Sequence, residues 1–428
     1  MTFAELGIGA ELAEALAARN IRDPSEIQKM VIPGLIDVSP SKPNLLFSSP
    51  TGTGKTLAYA LPMLRRLYLP AGLPDALPPG RTPGPAALVL APTYELCSQI
   101  KSEFDYLLGA VKSSDHRAAL VIGSVPLNRQ IDSLKKQRPS VVVGNPARVL
   151  QLVRMKKLSL KALRYLVLDE GDRLMADEFF SAAADLCRLA FPEQQRASAD
   201  PPCEQTPPFF IACSATFSGK NRERLFSITP GGNRGLWEIA EQKENDILRE
   251  NIDHWAFFAE DRKKISMLRS FIAAVRPKKL LVFTARAARV GTIVSQLQFH
   301  HLSASGLWGD MDKKDRKRAI DGFRKGNVTI LVSSDLAARG LDIEGISHIA
   351  AMDIPDSRET YIHRAGRTAR AGRRGVMASF GDETELRCLS AIEKKLGIAV
   401  YPKELYNGRL CVPEPYGDED ENPRKNEE

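Results

Sequence analysis

One stretch constrains this chain more than any other: Ser48-Ser49-Pro50-Thr51-Gly52-Thr53-Gly54-Lys55-Thr56. It follows an apolar run, Leu45-Leu46-Phe47, and precedes a helical pattern, Leu57-Ala58-Tyr59-Ala60-Leu61. Strand, glycine-rich turn and helix in that order are the context of a phosphate-binding loop. Gly52 and Gly54 let the backbone curl so that successive N–H groups point into one concavity, and the helix dipole adds partial positive charge there. Lys55 has the reach for β- and γ-phosphates, and the Thr56 hydroxyl can hold Mg²⁺. Ser49 stands where the first glycine of the common pattern falls, so a plain Gly/Thr turn remains the alternative on these residues alone.

The rest of the chain sets the size of what surrounds this loop. Its 428 residues allow two or three domains, each with a core. No apolar run approaches the roughly 18–20 residues of a membrane span, so no membrane association is expected. The formal net charge is +8 and the pI about 9.1. Residues 413–428 carry seven acids and two bases, a net −5, which leaves +13 on the remainder. That excess suits a polyanion through counterion release, or it is simply a solvated surface. Six cysteines show no C-x-x-C and no metal-ligand spacing, which points to a reducing compartment. Without a visible secretory signal the expected location is intracellular, cytoplasmic or nuclear, or an organelle if a presequence has been removed.

Short apolar runs alternate with helical segments at 87–90, 119–122, 141–143, 165–168, 209–212 and 236–240. A second series follows at 255–259, 280–283, 328–332, 346–351 and 376–380. Runs of this length separated by helices predict parallel sheets. The expected layout is α/β: domains at 1–240 and 251–408, a linker at 241–250 and an acidic, disordered tail at 409–428. Pro-rich stretches at 69–85 and 192–208 read as exposed loops. No short internal repeat is visible.

Three further stretches carry chemistry. Leu166-Val167-Leu168-Asp169-Glu170-Gly171-Asp172 is an apolar strand ending in acids. In an open α/β sheet that end faces the ligand crevice. There an Asp can hold Mg²⁺ and a Glu can polarise a water; the plainer alternative is acids complementing a helix dipole. Phe209 to Thr216, through Cys213-Ser214-Ala215, is by itself an ordinary strand end. In His363-Arg364-Ala365-Gly366-Arg367-Thr368-Ala369-Arg370, Arg367 and Arg370 are three apart, a spacing by which one helical face could carry both, and guanidiniums suit the spread charge of a transferring phosphoryl, unless this is a solvated basic turn.

Taken together and in this order, these motifs resemble the DEAD-box RNA helicases over about residues 3–381. Pro24-Ser25-Glu26-Ile27-Gln28 resembles the family's Q motif, and Phe3 sits at its upstream aromatic. Pro92 to Cys97 resembles motif Ia, Gly123-Ser124 the glycine doublet, and Asn145-Pro146-Ala147-Arg148 motif Ib. Leu281 to Arg286 resembles motif IV, Gly309-Asp310 with Arg316 the segment after it, and Ser334 to Ile343 motif V.

The resemblance implies two tandem RecA-like parallel-sheet domains with helices on both faces, and an RNA-dependent ATPase, a monomer, that uses ATP and Mg²⁺. On the matching positions, Lys55 and Thr56 would bind phosphate and Mg²⁺ with Thr51, Gly52, Thr53 and Gly54. Gln28 would read adenine and Asp342 the ribose. Asp169 would hold Mg²⁺, and Glu170 would activate water. Ser214, Thr216, Asp172 and His363 would couple hydrolysis to strand separation. Arg367 and Arg370 would act as arginine fingers. Thr93, Gly123, Arg148, Arg316 and Ser334 would lie along the RNA backbone, with little sequence preference. Variable loops and the tail would serve protein partners.

Several positions depart from the family pattern: Gly171 in the acidic motif, Asn20-Ile21 for Gly-aromatic, Tyr94 in motif Ia, Asn145 and Ala147 in motif Ib, and Trp308 and Lys313 near the Gly-Asp pair. Most fall on the RNA side. They motivate the alternative of an ATP-gated RNA clamp or assembly factor with little unwinding. A DNA translocase is a weaker alternative, because Gln28 in its motif argues for the RNA branch.

Overall fold

The computed structural model describes the chain apart from residues 38–43, 50–51, 69–83, 112–115, 192–207, 216–218, 231–235, 241–247, 249, 310, 339–342, 344, 370–372 and 414–428. The chain divides into two compact units. One spans Met1–Glu244 and the other Asn245–Ala338 with Ile343–Glu428, so the division falls inside the stretch expected as a linker. The loops expected at 69–85 and 192–208 lie almost wholly outside the described residues.

The first unit is built on seven parallel strands: β1 (Asn44–Ser48), β2 (Ala87–Leu90), β3 (Ala118–Val121), β4 (Val141–Gly144), β5 (Tyr165–Asp169), β6 (Phe209–Ser214) and β7 (Leu236–Ala240). Their order across the sheet is β3-β4-β2-β5-β6-β1-β7. Alternate residues of each strand go to opposite faces. Leu45, Phe47, Val89, Val143, Val167, Ile211 and Cys213 join one core, and Leu46, Leu88, Leu90, Val142, Leu166, Leu168 and Ala212 join another. Both faces are therefore covered, as an all-parallel sheet requires.

The helix Lys55–Tyr68 follows β1 and is buried almost all round, from Leu57 to Leu64 and at Arg66 and Leu67. Helix Glu26–Ile36 packs against it. The Arg66 guanidinium, 5% exposed, donates to the carbonyls of Leu35 (3.3 Å) and Ile36 (3.1 Å). It thereby satisfies acceptors left open where that helix ends. Gly34 matters through the side chain it lacks. A Cβ there would lie 1.4 Å from the Trp237 ring, so only glycine admits the indole of β7.

The second unit repeats the plan with β8 (Ile252–Phe258), β9 (Leu280–Thr284), β10 (Ala304–Leu307), β11 (Ile330–Ser334), β12 (His348–Ala351), β13 (Gly375–Gly381) and β14 (Val400–Pro402). The order is β10-β11-β9-β12-β13-β8-β14, again wholly parallel. Renumbered from its own first strand, this is the winding of the first sheet. A repeat invisible in the sequence is thus plain in the topology.

Two expectations are corrected by the structure. Strand β10 falls outside the apolar series, because Ala304-Ser305-Gly306-Leu307 has neither alternation nor β-branched residues. The tail does not start at 409: β16 (Arg409–Cys411) pairs antiparallel with β15 (Glu404–Tyr406). Leu405 and Leu410 of this hairpin pack against the second unit's core, which stabilises strands too short to stand alone.

Candidate nucleotide and RNA site

The carboxyl ends of β1, β5 and β6 bring the first unit's polar residues together. Ser48 is paired with Ser214 across β1 and β6, and Asp169 with Cys213 across β5 and β6. Gly52 (φ +85°) and Gly54 (φ +89°) both take the left-handed conformation that glycine allows without a Cβ penalty. Lys55 opens the helix after the loop, and its ammonium donates to the Ser49 carbonyl at 2.6 Å. The Ser49 and Thr53 hydroxyls are hydrogen-bonded at 2.5 Å, so the serine in the first-glycine place acts within the loop.

Gln28 is buried, 3% exposed. Its Oε1 accepts from the Ser25 N–H (2.9 Å), and its Nε2 donates to the Gly54 carbonyl (3.1 Å). One amide side chain therefore joins the start of helix Glu26–Ile36 to the phosphate loop.

Asp169 ends β5, 3% exposed, on the sheet face that also carries Cys213 and helix Lys55–Tyr68. Its Oδ2 accepts from the Tyr59 hydroxyl (2.9 Å). Its Oδ1 accepts from the Glu170 N–H (2.9 Å) and the Cys213 thiol (3.3 Å). Burial raises the carboxyl above its ordinary value, while the Tyr59 hydrogen bond and the Lys55 charge act in the other direction. Burial, then the Asp169 charge, pushes the Tyr59 phenol well up, and the same two causes raise the Cys213 thiol. Thr56 follows Lys55 on the helix whose Tyr59 reaches Asp169.

Among the described residues no group of three or more His, Cys, Asp or Glu side chains could hold a metal ion. The Thr56 hydroxyl and the Asp169 carboxylate are hard oxygen donors of the kind Mg²⁺ takes when phosphate and water fill its remaining positions. A cation there would also reverse the effect of burial on Asp169. The donor set therefore fits the ion.

Glu170 has φ 51° and ψ 52°, a left-handed conformation unusual for a side chain of this size. Backbone strain of this kind concentrates at functional positions. Asp172 is buried on the short helix Gly171–Leu174, and Ser214 is fully buried at the end of β6. Thr51 and Thr216 lie outside the described residues.

Elsewhere on the first unit three loops are tied together. Asn145 donates to the Pro92 carbonyl (3.0 Å) and caps helix Pro146–Arg154 by accepting from Ala147 N–H. Arg148 donates to the carbonyls of Gly123 (2.8 Å) and Val125 (3.0 Å). Thr93 caps helix Tyr94–Ala110, accepting from Leu96 N–H. The segments holding Thr93, Gly123 and Arg148 thus form one cluster, in which Arg148 holds the turn around Gly123. Tyr94 is exposed beside it.

In the second unit Arg316 donates to the carbonyls of Ala337 (2.9 Å) and Trp308 (3.5 Å). Ser334 ends β11, buried. Arg364 is the residue that motif reading passed over. Buried at 2% exposed, it grips Asp335 with two bonds of 2.6 and 2.7 Å and donates to the Asp353 carbonyl. Such a bidentate pair fixes orientation as well as charge. It locks helix Arg358–Ala365, which carries His363, to the segment after β11. Arg367 is buried just beyond that helix, and Ala369 is left-handed (φ +54°). Asp310, Asp342 and Arg370 lie outside the described residues.

This arrangement has known counterparts. The family model for DEAD/DEAH box helicases matches residues 25–225, and that for the helicase conserved C-terminal domain matches residues 263–372. A DEAD-box ATP-dependent RNA helicase of Bacillus cereus, CshC, is 30% identical over 94% of each chain. The chain belongs to the DEAD-box RNA helicase family. The ATP-dependent RNA helicase SrmB of Haemophilus influenzae is 31% identical over 96% of this chain and 85% of its own. Among solved structures, S. cerevisiae Dbp5 bound to RNA and ADP BeF3 is 28% identical, with a TM-score of 0.77 over 94% of this chain and 95% of that one. As a DEAD-box protein this chain is an ATP-dependent RNA helicase, an ATPase that couples ATP to RNA unwinding or remodelling.

Proposed function

We propose that this DEAD-box protein hydrolyses Mg²⁺-bound ATP at the end of the first unit's sheet and separates short RNA duplexes locally. The observation that carries the reading is that the Lys55 charge acts on the buried Asp169 at the carboxyl ends of β1 and β5, with Thr56 next to Lys55 and Glu170 next to Asp169 in the chain. In this reading Lys55 and the glycine turn bind the phosphates, and Gln28 sets the adenine end. Thr56 and Asp169 hold Mg²⁺, which when bound neutralises phosphate charge. Glu170 takes a proton from the attacking water. Arg367 and Arg370 supply guanidinium charge to the transferring phosphoryl, a contribution worth roughly 10³–10⁵ in rate. Ser214, Thr216, Asp172 and His363 transmit the state of the nucleotide to the RNA side, and Asp342 contacts the ribose.

RNA is proposed to run along the Thr93, Gly123 and Arg148 cluster and the Arg316 and Ser334 cluster, touched mainly at its backbone. The clustering of the first three loops supports that assignment.

The test pairs two measurements. Glu170→Gln should abolish RNA-stimulated ATP hydrolysis while a fluorescent ATP analogue still binds. Wild-type protein with ATP should displace a strand from a short RNA duplex. Binding without displacement would turn the reading to a clamp, and turnover indifferent to both RNA and Glu170 would end it.

A further inference from the structure

We infer that Tyr59 and Cys213 are positioning residues for the cation site: Tyr59 orients Asp169 through Oδ2, and Cys213 braces it through Oδ1. The inference rests on the reading of Asp169 and Thr56 as Mg²⁺ donors. It extends that reading to two residues outside the phosphate loop and the acidic motif.

Lone pairs on Asp169 decide how it can meet a cation. An ionised carboxylate only accepts, and it has about four lone-pair positions. On Asp169, Oδ1 takes the Glu170 N–H and the Cys213 S–H, and Oδ2 takes the Tyr59 O–H. Three positions are filled by the chain itself, leaving one on Oδ2. Such a carboxylate meets a cation, or water bound to one, through a single oxygen in a fixed direction.

Tyr59 has one hydrogen, and the ionised Asp169 can only accept it. The phenol thus fixes Oδ2, with Cys213 bracing Oδ1 from the neighbouring strand.

Core packing alone explains neither contact. Tyr59 and Cys213 are fully buried, and phenylalanine or alanine would serve a purely apolar site. A buried hydroxyl aimed at a carboxylate is a directional device. Partners of this kind behind metal ligands typically change metal affinity by about 10–100-fold when removed.

The test uses the whole protein, a fluorescent ADP analogue titrated in Mg²⁺ and in EDTA, and the EPR spectrum of Mn²⁺ in the Mn²⁺–ADP complex. Tyr59→Phe keeps the ring and deletes only the hydroxyl. It should leave affinity in EDTA unchanged, cut the Mg²⁺-dependent gain by about 10-fold, and alter the Mn²⁺ spectrum. Cys213→Ala should act the same way, and Cys213→Ser, which retains a donor, should restore the gain. An undiminished gain and unchanged spectrum in Tyr59→Phe, with the gain lost in Asp169→Asn, would overturn the inference. So would an equal loss in Mg²⁺ and in EDTA, which marks a merely structural role. If Asp169→Asn itself keeps the full gain, the reading of the cation site falls, and this inference with it.

Discussion

Gln28 donates from its side-chain nitrogen to the carbonyl oxygen of Gly54 at 3.1 Å, so one amide ties the start of helix Glu26–Ile36 to the glycine turn before Lys55. Substituting Gln28→Ala removes that bond and leaves the Ser25 N–H without its acceptor. A net hydrogen bond is worth about 1 kcal/mol, roughly fivefold in affinity, and an orphaned donor adds to the loss. We expect ATP affinity to fall about 10-fold and the preference for ATP over GTP to collapse, both read by competition against a fluorescent nucleotide.

Ala369 adopts φ +54° while buried. A Cβ in the left-handed region costs about 1–2 kcal/mol, and glycine avoids it. Ala369→Gly should therefore stabilise the second unit, by about 1 kcal/mol once glycine's greater unfolded freedom is counted. Ala369→Val should destabilise it by more than that. Urea titration followed by tryptophan fluorescence gives the sign.

His254 is buried between two fixed partners. Its Nε2 lies 2.9 Å from the Leu248 carbonyl, which can only accept, so Nε2 carries the hydrogen and Nδ1 accepts from the Tyr361 hydroxyl at 2.7 Å. Burial lowers the pKa of His254, partly offset by the Leu248 carbonyl and the charges of Asp253 and Glu393. Burial likewise lowers that of His348. The unfolded chain, with histidines near 6.5, binds protons that the folded chain refuses. Stability from these residues is complete above about pH 6.5 and declines as pH falls through the window toward the folded values. Thermal melts across that range should show the decline, and His254→Gln should flatten part of it.

Gly34 and Trp237 make a steric prediction. Gly34→Ala places a methyl inside the indole's space. Overpacking of this kind costs about 1–3 kcal/mol, so the melting temperature should fall. Combining it with Trp237→Leu should recover part of the loss, since the intruding ring is gone. A Gly34→Ala protein as stable as wild type would show that β7 can shift freely.

Much of this was legible in the sequence for a physical reason: buried parallel strands need continuous apolar runs, and loops at their ends carry the polar residues. Lys55, Asp169 and Ser214 announce themselves by where those runs stop. Tyr59 does not, because a tyrosine inside a buried helix reads as core until its hydroxyl is seen on Asp169. Arg148 and Arg316 show the opposite failure. Their charge suggests RNA, yet their guanidinium groups also grip backbone carbonyls, which no motif reveals. Strand β10 escaped because Gly306 is dictated by contact: a Cβ there would lie 2.9 Å from Val290.

The shared winding of the two sheets has a stoichiometric consequence. β8 lies between β13 and β14 as β1 lies between β6 and β7. The segment after β8, Ala259-Glu260-Asp261-Arg262-Lys263, therefore occupies the place of the phosphate loop. It contains no glycine to form such a turn, and its charges pair among themselves and with Arg289: Arg262 and Lys263 with Glu260, Arg289 with Asp261. The second frame copies the winding without the glycine turn after its first strand, so calorimetric titration should saturate at one mole of ATP per mole of chain.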